Sequence, residues 1–404
     1  MYPDLSYLFH DLFNTEVDNW TSIFKSFGLC LGMAFLACGI LVKAELRRIE
    51  EIGLVKPFQV IQKTSVYTLT DLAINTAIVA FMAAKLPYII SNFDEFKADP
   101  ASIIFSKLGN WPVGLLIGAA AGAYYYFNKY AKQGQPKETT IMVHPHEKTT
   151  DIVFLAAISG VLGARLFSIF ENLDNFFRDP IGVLFSGSGL TIYGGLIVAF
   201  IAVYWFVKKN GIKPIYMMDI AGMGILLGYA IGRIGCQVSG DGDWGIVAGE
   251  MPNWWFLPDW LWSYNYPNNV SNEGVPMVGC DLEKLANSTG YIEDRCKEAC
   301  GMRYCHELNP KVYPTPLWET MLSLGGLLVL WLLRKKVKIA GMLFFMYLTF
   351  NGVERFFIET VRVNTKYNYF GVDWSQAQYI SVCFMIIGVI GIVYLSRKKP
   401  GWET

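Results

Sequence analysis

Apolar residues in this chain gather in long runs rather than alternating with polar ones. Nine runs of about the 20 residues needed to cross a bilayer core lie near 22–42, 71–91, 111–130, 151–171, 190–208, 215–236, 315–333, 339–358 and 376–396. This pattern predicts an all-α polytopic membrane protein of about nine transmembrane helices. Numbering the intervening segments alternately gives two sets of loops. Segments 43–70, 129–150, 208–214, 334–338 and 397–404 hold 19 Lys and Arg. Segments 1–21, 92–110, 172–189, 237–312 and 359–375 hold 10, over about twice the length. Positive charge is retained on the cytoplasmic side, so the pattern predicts an outer N-terminus and an inner C-terminus ending Arg397-Lys398-Lys399. The first apolar run starts late and lacks a basic leader, so no cleavable signal peptide is expected.

Composition narrows the class further. Hydrophobic residues make 53% of the chain and charged residues 17%, against about 25% charged in an ordinary soluble domain. Intrinsic disorder is excluded on the same grounds. Lys+Arg and Asp+Glu are 34 each, which excludes a bulk nucleic-acid binder.

Residues 70–130 align with 150–210 at a constant offset of 80, with 21 of 61 positions identical. The matches include Asp71/Asp151, Leu86/Leu166, Asn92/Asn172, Asp94/Asp174, Asp99-Pro100/Asp179-Pro180, Gly109/Gly189 and Gly114/Gly194. Shared membrane composition inflates Leu and Ala matches but does not align Asn, Asp, Pro and Gly in a loop. The unit reads as a duplicated two-helix hairpin in parallel orientation. Lys85 and Val113 of the first copy stand where the second has Arg165 and Tyr193. We therefore expect the first copy to serve as scaffold and the second to carry chemistry.

Charges inside spans are costly and usually functional. Arg165, Arg233 and Arg355 fall near the outer ends of three different predicted helices. Alone, each could snorkel to headgroups or pair with an acid, as Arg355 could with Glu359 at i+4. Together, three guanidiniums at one depth suggest a lipid phosphate site, since guanidinium binds phosphate in a bidentate fashion. The run Gly232-Arg233-Ile234-Gly235-Cys236-Gln237-Val238-Ser239-Gly240-Asp241-Gly242-Asp243-Trp244-Gly245 ends one span. Its glycines permit an unusual backbone path and close approach to a ligand.

Segment 237–312 holds Cys280, Cys296, Cys300 and Cys305. On the outer side these suggest two disulfides, in any of three connectivities; a zinc site fits the spacing less well. The segment is also rich in Trp, which favours membrane-interface contact or substrate docking, although a plain structural cap is equally consistent. The His144/His146 pair reads as a solvated loop rather than a metal site.

These residues resemble the prolipoprotein diacylglyceryl transferase family. Its Gly-Arg-x-Gly-Asn-x-x-Asn-Gly-Glu-x-x-Gly signature is matched at Arg233, Gly235, Gly240 and Gly245. Gly163-Ala164-Arg165-Leu166, Thr191-Ile192-Tyr193-Gly194-Gly195 and Tyr313-Pro314-Thr315-Pro316-Leu317-Trp318-Glu319 are similar to three further family blocks. Arg355, Glu359 and Arg362 match its late Arg-x3-Glu-x2-Arg helix, and Gln378 a Gln opening the last span. The resemblance covers 22–45 and 151–396, apart from most of 246–312. The chain departs from the family at Tyr193, where the family has His, at Tyr313, at Phe27, and within the signature at Cys236, Ser239 and Asp241. All four histidines lie in loops, which makes a histidine base an unpromising reading. Cys236 reads better as a small residue in a tight turn than as a nucleophile.

The resemblance implies transfer of diacylglyceryl from phosphatidylglycerol to the lipobox cysteine thiol of a prolipoprotein signal peptide, releasing glycerol phosphate. It implies a multi-pass protein of the bacterial inner membrane, with no metal and no cofactor. It points to Arg233, Arg355, Asp241, Glu359 and Tyr193 as catalytic. Arg165, Gly194, Gly195, Gly235, Gly240, Gly245, Arg362 and Gln378 would bind substrate. The expected organisation is an outer arm (1–21), the first span and its loop (22–69), an extra hairpin (70–150) and core spans (151–236). The signature turn with the cysteine-bearing loop (237–312) and the C-terminal spans (313–404) follow. A non-catalytic phospholipid-binding homologue and, with less support, a transporter are the competing readings.

Overall fold

The computed structural model describes all residues except 64–66, 99, 133–137, 179, 181–182, 184–190, 289, 370 and 399–404. Asp99, Asp179 and Gly189 of the repeat, and Lys399 of the basic C-terminal run, therefore lie outside the described residues. The chain is mainly helical. In order, the helices are α1 (Leu5–Phe13), α2 (Ser26–Glu51), α3 (Leu69–Ser91), α4 (Phe93–Ala98), α5 (Pro100–Phe105), α6 (Trp111–Tyr125), α7 (Thr149–Glu171) and α8 (Leu173–Arg178). There follow α9 (Ile192–Lys209), α10 (Pro214–Ser239), α11 (Leu282–Asn287), α12 (Ile292–Cys300), α13 (Thr315–Leu333), α14 (Met342–Ile358) and α15 (Gln376–Lys398).

Among the described residues, seven helical segments are long and apolar enough to cross a membrane: α2, α3, Pro145–Glu171, α9, α10, α13 and α15. The other two predicted spans form α6, of 15 residues, which runs into a π-turn at Tyr126–Tyr130, and α14, of 17 residues. The protein is thus a helical, multi-pass membrane protein. Three two-stranded antiparallel pairs supplement the expected all-helical fold: β1 (Phe58–Lys63) with β2 (Glu138–Val143), β3 (Val275–Pro276) with β4 (His306–Glu307), and β5 (Lys366–Tyr369) with β6 (Val372–Ser375). All lie in segments read from the sequence as loops. Pairs this short have no 20-residue apolar signature to find.

The chain divides into two compact units, residues 1–55 with 148–153 and 207–404, and residues 56–147 with 154–206. In the second unit both copies of the repeat appear as structure. α3 and α7 start and end 80 residues apart, as do α4 and α8. In each copy small residues bring two helices close. A Cβ on Gly114 would lie 2.6 Å from the Ala80 carbonyl oxygen, and one on Gly194 would lie 2.7 Å from that of Gly163. Lys85 is buried, and its ammonium donates to the carbonyls of Ile103 (3.0 Å), Ser106 (2.6 Å) and Leu108 (2.7 Å). It pins the loop of the first hairpin.

In the first unit α10 is the most buried span and packs against α2, α13 and α14, while α15 packs along α14. α10 begins with Pro214 in its first turn and stops at Gly240, whose φ of +64° is the left-handed cap that glycine adopts without Cβ strain. α14 has no side-chain cap of its own. Instead Asp219, buried on α10, accepts the amides of Gly341 (2.7 Å) and Phe344 (2.9 Å). That satisfies orphan N–H groups and fixes α14 against α10. Far along α2, buried Glu45 holds Arg48 at 2.9 Å and Arg334 of α13's C-cap at 2.7 Å.

The segment after α10 builds a small subdomain with two cores. One is Trp244, Tyr266, Leu308 and Val312. The other is Leu285, Cys296, Ala299 and Cys305. Cys280 is bonded to Cys300 and Cys296 to Cys305, which selects one of the three connectivities. The N-terminal arm docks here: the Tyr304 amide donates to the Tyr7 hydroxyl (3.0 Å), and Asp18 pairs with Lys297.

Candidate functional site

Where α10 ends, the Gly-rich run folds back under α13 and the end of α14. Gly245 bridges Arg362 in the β sense, and its amide donates to the Tyr313 carbonyl (2.9 Å). A Cβ at Gly245 would lie 2.7 Å from the Val361 oxygen and 2.9 Å from Thr315 Cγ2, so no larger residue fits. The signature turn is therefore clamped between two later segments. That clamp carries Asp243 to the helix ends.

There the charged side chains meet. Arg233 Nε lies 2.9 Å from Glu319 Oε2, and Arg355 Nη1 lies 2.8 Å from Glu319 Oε1. Glu319, on α13, is fully buried. It is the shared partner that turns the two guanidiniums toward each other. Tyr229 adds a hydroxyl donor to Glu319 at 2.8 Å, and its ring lies 4.9 Å from the Arg233 guanidinium carbon. Asp243 pairs with both Arg233 and Arg362. Arg362 also reaches Glu319 at 3.5 Å. Arg355 Nη2 lies 3.3 Å from Glu359, the i+4 pairing expected from the sequence, and Asn364 donates to Glu359. Three guanidiniums from α10, α14 and the segment after it thus face three carboxylates. Each guanidinium has five donors in a fixed fork, more than these pairs engage, so an incoming phosphate can be gripped without dismantling the cluster.

Sequence-predicted residues distribute as follows. Arg233, Arg355, Glu359 and Arg362 come together; Gly240 and Gly245 shape the turn after α10, while Gly235 lies inside α10 and packs against Phe27 and Cys30 of α2. Asp241 lies in the same turn but accepts the amide of Asp243 (3.3 Å), and Asp243 carries the ion pairs. The two carboxyls differ in character. Burial pushes Asp241 up from the ordinary carboxylate range. Burial also pushes Asp243 up, but Arg233 and Arg362 outweigh it and hold its carboxyl below that range. Gln378, in the first turn of α15, is buried and accepts the Ser375 amide at 3.0 Å. Cys236 is buried, 3.6 Å from Asp243 and 3.8 Å from Arg233 Nη1. Arg165, Tyr193, Gly194 and Gly195 belong to the other unit, where Gly194 and Gly195 pack against α7.

The sequence reading passed over Glu319, Asp243 and Tyr229 as site residues. Glu319 was visible only as the end of a motif block. An acid one turn inside a span was the available signal.

A multi-pass helical membrane protein with a buried cluster of arginines and carboxylates beneath a glycine turn is the class that fold and site define. The model of the prolipoprotein diacylglyceryl transferase family matches residues 110–394. The chain belongs to the prolipoprotein diacylglyceryl transferase family. Curated relatives agree. It is 28% identical to the phosphatidylglycerol–prolipoprotein diacylglyceryl transferase of Shouchella clausii, over 74% of this chain and 92% of the relative. It is 26% identical to that of Lysinibacillus sphaericus, over 64% and 81%. Against that of Bacillus cereus strain B4264 the figures are 28%, 73% and 92%.

Proposed function

We propose that this protein transfers the diacylglyceryl group of phosphatidylglycerol to the lipobox cysteine thiol of prolipoproteins, with glycerol phosphate as the leaving group. The observation that carries this reading is the convergence of Arg233 and Arg355 on Glu319. In this role they grip the lipid phosphate and stabilise the charge that develops as it leaves, the electrostatic task of such a site. Arg362 and Asp243 hold Arg233 in place. Arg165 supports substrate binding, and Tyr193 acts as a hydrogen-bonding positioner, since its unperturbed pKa of about 10 suits it poorly as a base. Glu359 orients the Arg355 guanidinium, and Asp241 braces the turn through the Asp243 amide or accepts a proton. The loop charges support nine spans with the N-terminus outside, in the bacterial inner membrane, so that the cluster faces exported substrate. The subdomain at 246–312 would dock the signal peptide, and exposed Trp254 and Trp260 suit the membrane interface.

The test supplies purified protein with phosphatidylglycerol and a synthetic lipobox peptide. Thioether-linked diacylglyceryl peptide and released glycerol phosphate are expected. Lipid binding without product would instead support a non-catalytic homologue, a reading favoured by the altered signature residues Cys236 and Ser239.

A further inference from the structure

Among the described residues, the cluster has a neighbour that no ion pair uses. Glu354, on α14 immediately before Arg355, is 5% exposed, and neither carboxylate oxygen has a hydrogen-bond partner among the described residues. It lies within electrostatic range of Glu319, Arg355, Arg233 and Arg362, and of the hydroxyls of Tyr229 and Tyr347. α15 meets α14 through Gly352, Gly388 and Gly391 at Ser381, Met385, Thr349 and Phe345, none of them titratable. A buried acid with no donor is expensive, and in a membrane span it marks function by default. Glu319, Glu359 and Asp243 are held by guanidiniums; Glu354 is the carboxyl beside them whose lone pairs are unclaimed. An acceptor without a donor complements a substrate that brings one.

Building on the transferase reading, we propose that Glu354 takes the proton from the lipobox thiol. The S–H bond breaks, and its proton goes to a Glu354 carboxylate oxygen. The sulfur electron pair forms the C–S bond to the glyceryl carbon. The C–O bond from that carbon to phosphate breaks, and its electron pair stays on the departing glycerol phosphate, held by Arg233 and Arg355. The proton on Glu354 then passes to the phosphate or to water. This assigns proton transfer to a residue of α14.

The experiment compares parent, Glu354→Gln and Glu354→Asp, with phosphatidylglycerol and lipobox peptide across pH. Glu354→Gln should melt no lower than the parent, since no partner is lost, and should lose about 100-fold or more in kcat at pH 7. Its KM for lipid should stay within about threefold. The deficit should shrink toward pH 9, where a thiol of unperturbed pKa about 8.5 ionises unaided. Should Glu354→Gln not fold, Glu354→Asp carries the test, with kcat reduced and KM unchanged. Glu354→Gln retaining more than about a third of kcat, a loss confined to KM, or a deficit equal at pH 7 and 9 would overturn the proposal. An active parent with an unimpaired variant sinks this proposal alone. An inactive parent sinks the transferase reading and this proposal with it.

Discussion

Glu319 is where residue-scale energetics and function meet. Its two oxygens separate and orient two guanidiniums, and the side chain is wholly buried. Removing one partner of a buried ionic group is costly because the others stay charged. Glu319→Gln should destabilise the protein by about 3–5 kcal/mol, read as unfolding in detergent, and should abolish transfer; parent-like stability would show that the pairs are dispensable. Asp241 makes the opposite case. Its folded-state pKa is raised, so the stabilising protonated form is present below the unfolded value of about 4 and is lost as pH rises through the folded one. Asp241→Asn should therefore melt above the parent at pH 8 and level with it at pH 4, and an equal shift at both would contradict the assignment. The arginines were legible in the sequence because charge in an apolar run stands out. Which of Asp241 and Asp243 faces them was not, because Gly240 and Gly242 give the turn a backbone path that residue identities do not determine.

At the scale of elements, one device registers the helices that carry the cluster, and a separate one fixes the loop of a hairpin. Asp219 caps α14 from α10, so the helix bearing Arg355 is registered on the helix bearing Arg233. Lys85 holds three loop carbonyls in the first repeat copy; the expected division of labour makes that copy scaffold and the second copy chemistry. Lys85→Met should lower thermal stability by leaving those carbonyls unsatisfied, at about 1–3 kcal/mol for each one that water cannot reach. Transfer per folded molecule should fall little. Arg165→Ala should do the reverse, reducing turnover more than stability, and equal damage from both would refute the division. The repeat was readable because polar loop residues match at a fixed offset. The paired strands were not: β1 and β2 are separated by the whole first hairpin, and neither is long enough to show a pattern.

Over the whole molecule, the long helices followed from hydropathy, seven of them long and apolar enough to span among the described residues, and the resemblance to the family followed from a few residues spread over six helices. What the sequence could not supply was the partner set. Glu319, Tyr229 and Glu354 lie on apolar helices, where a single polar residue reads equally well as packing, and only the fold shows that Glu319 and Tyr229 meet the arginines and that Glu354 is buried without a partner among the described residues. In the proposed function Arg233 and Arg355, carried by α10 and α14, grip one phosphate. A double-mutant cycle on kcat/KM for phosphatidylglycerol tests it most directly, comparing parent, Arg233→Ala, Arg355→Ala and the double variant. Two residues acting on one group give strongly non-additive losses. Each single variant should lose about 100-fold or more, the loss seen when one electrostatic donor of such a site is removed. The double variant should then lie within about tenfold of the worse single. Losses that multiply in full, or a single variant with parent-like kcat/KM, would contradict the account.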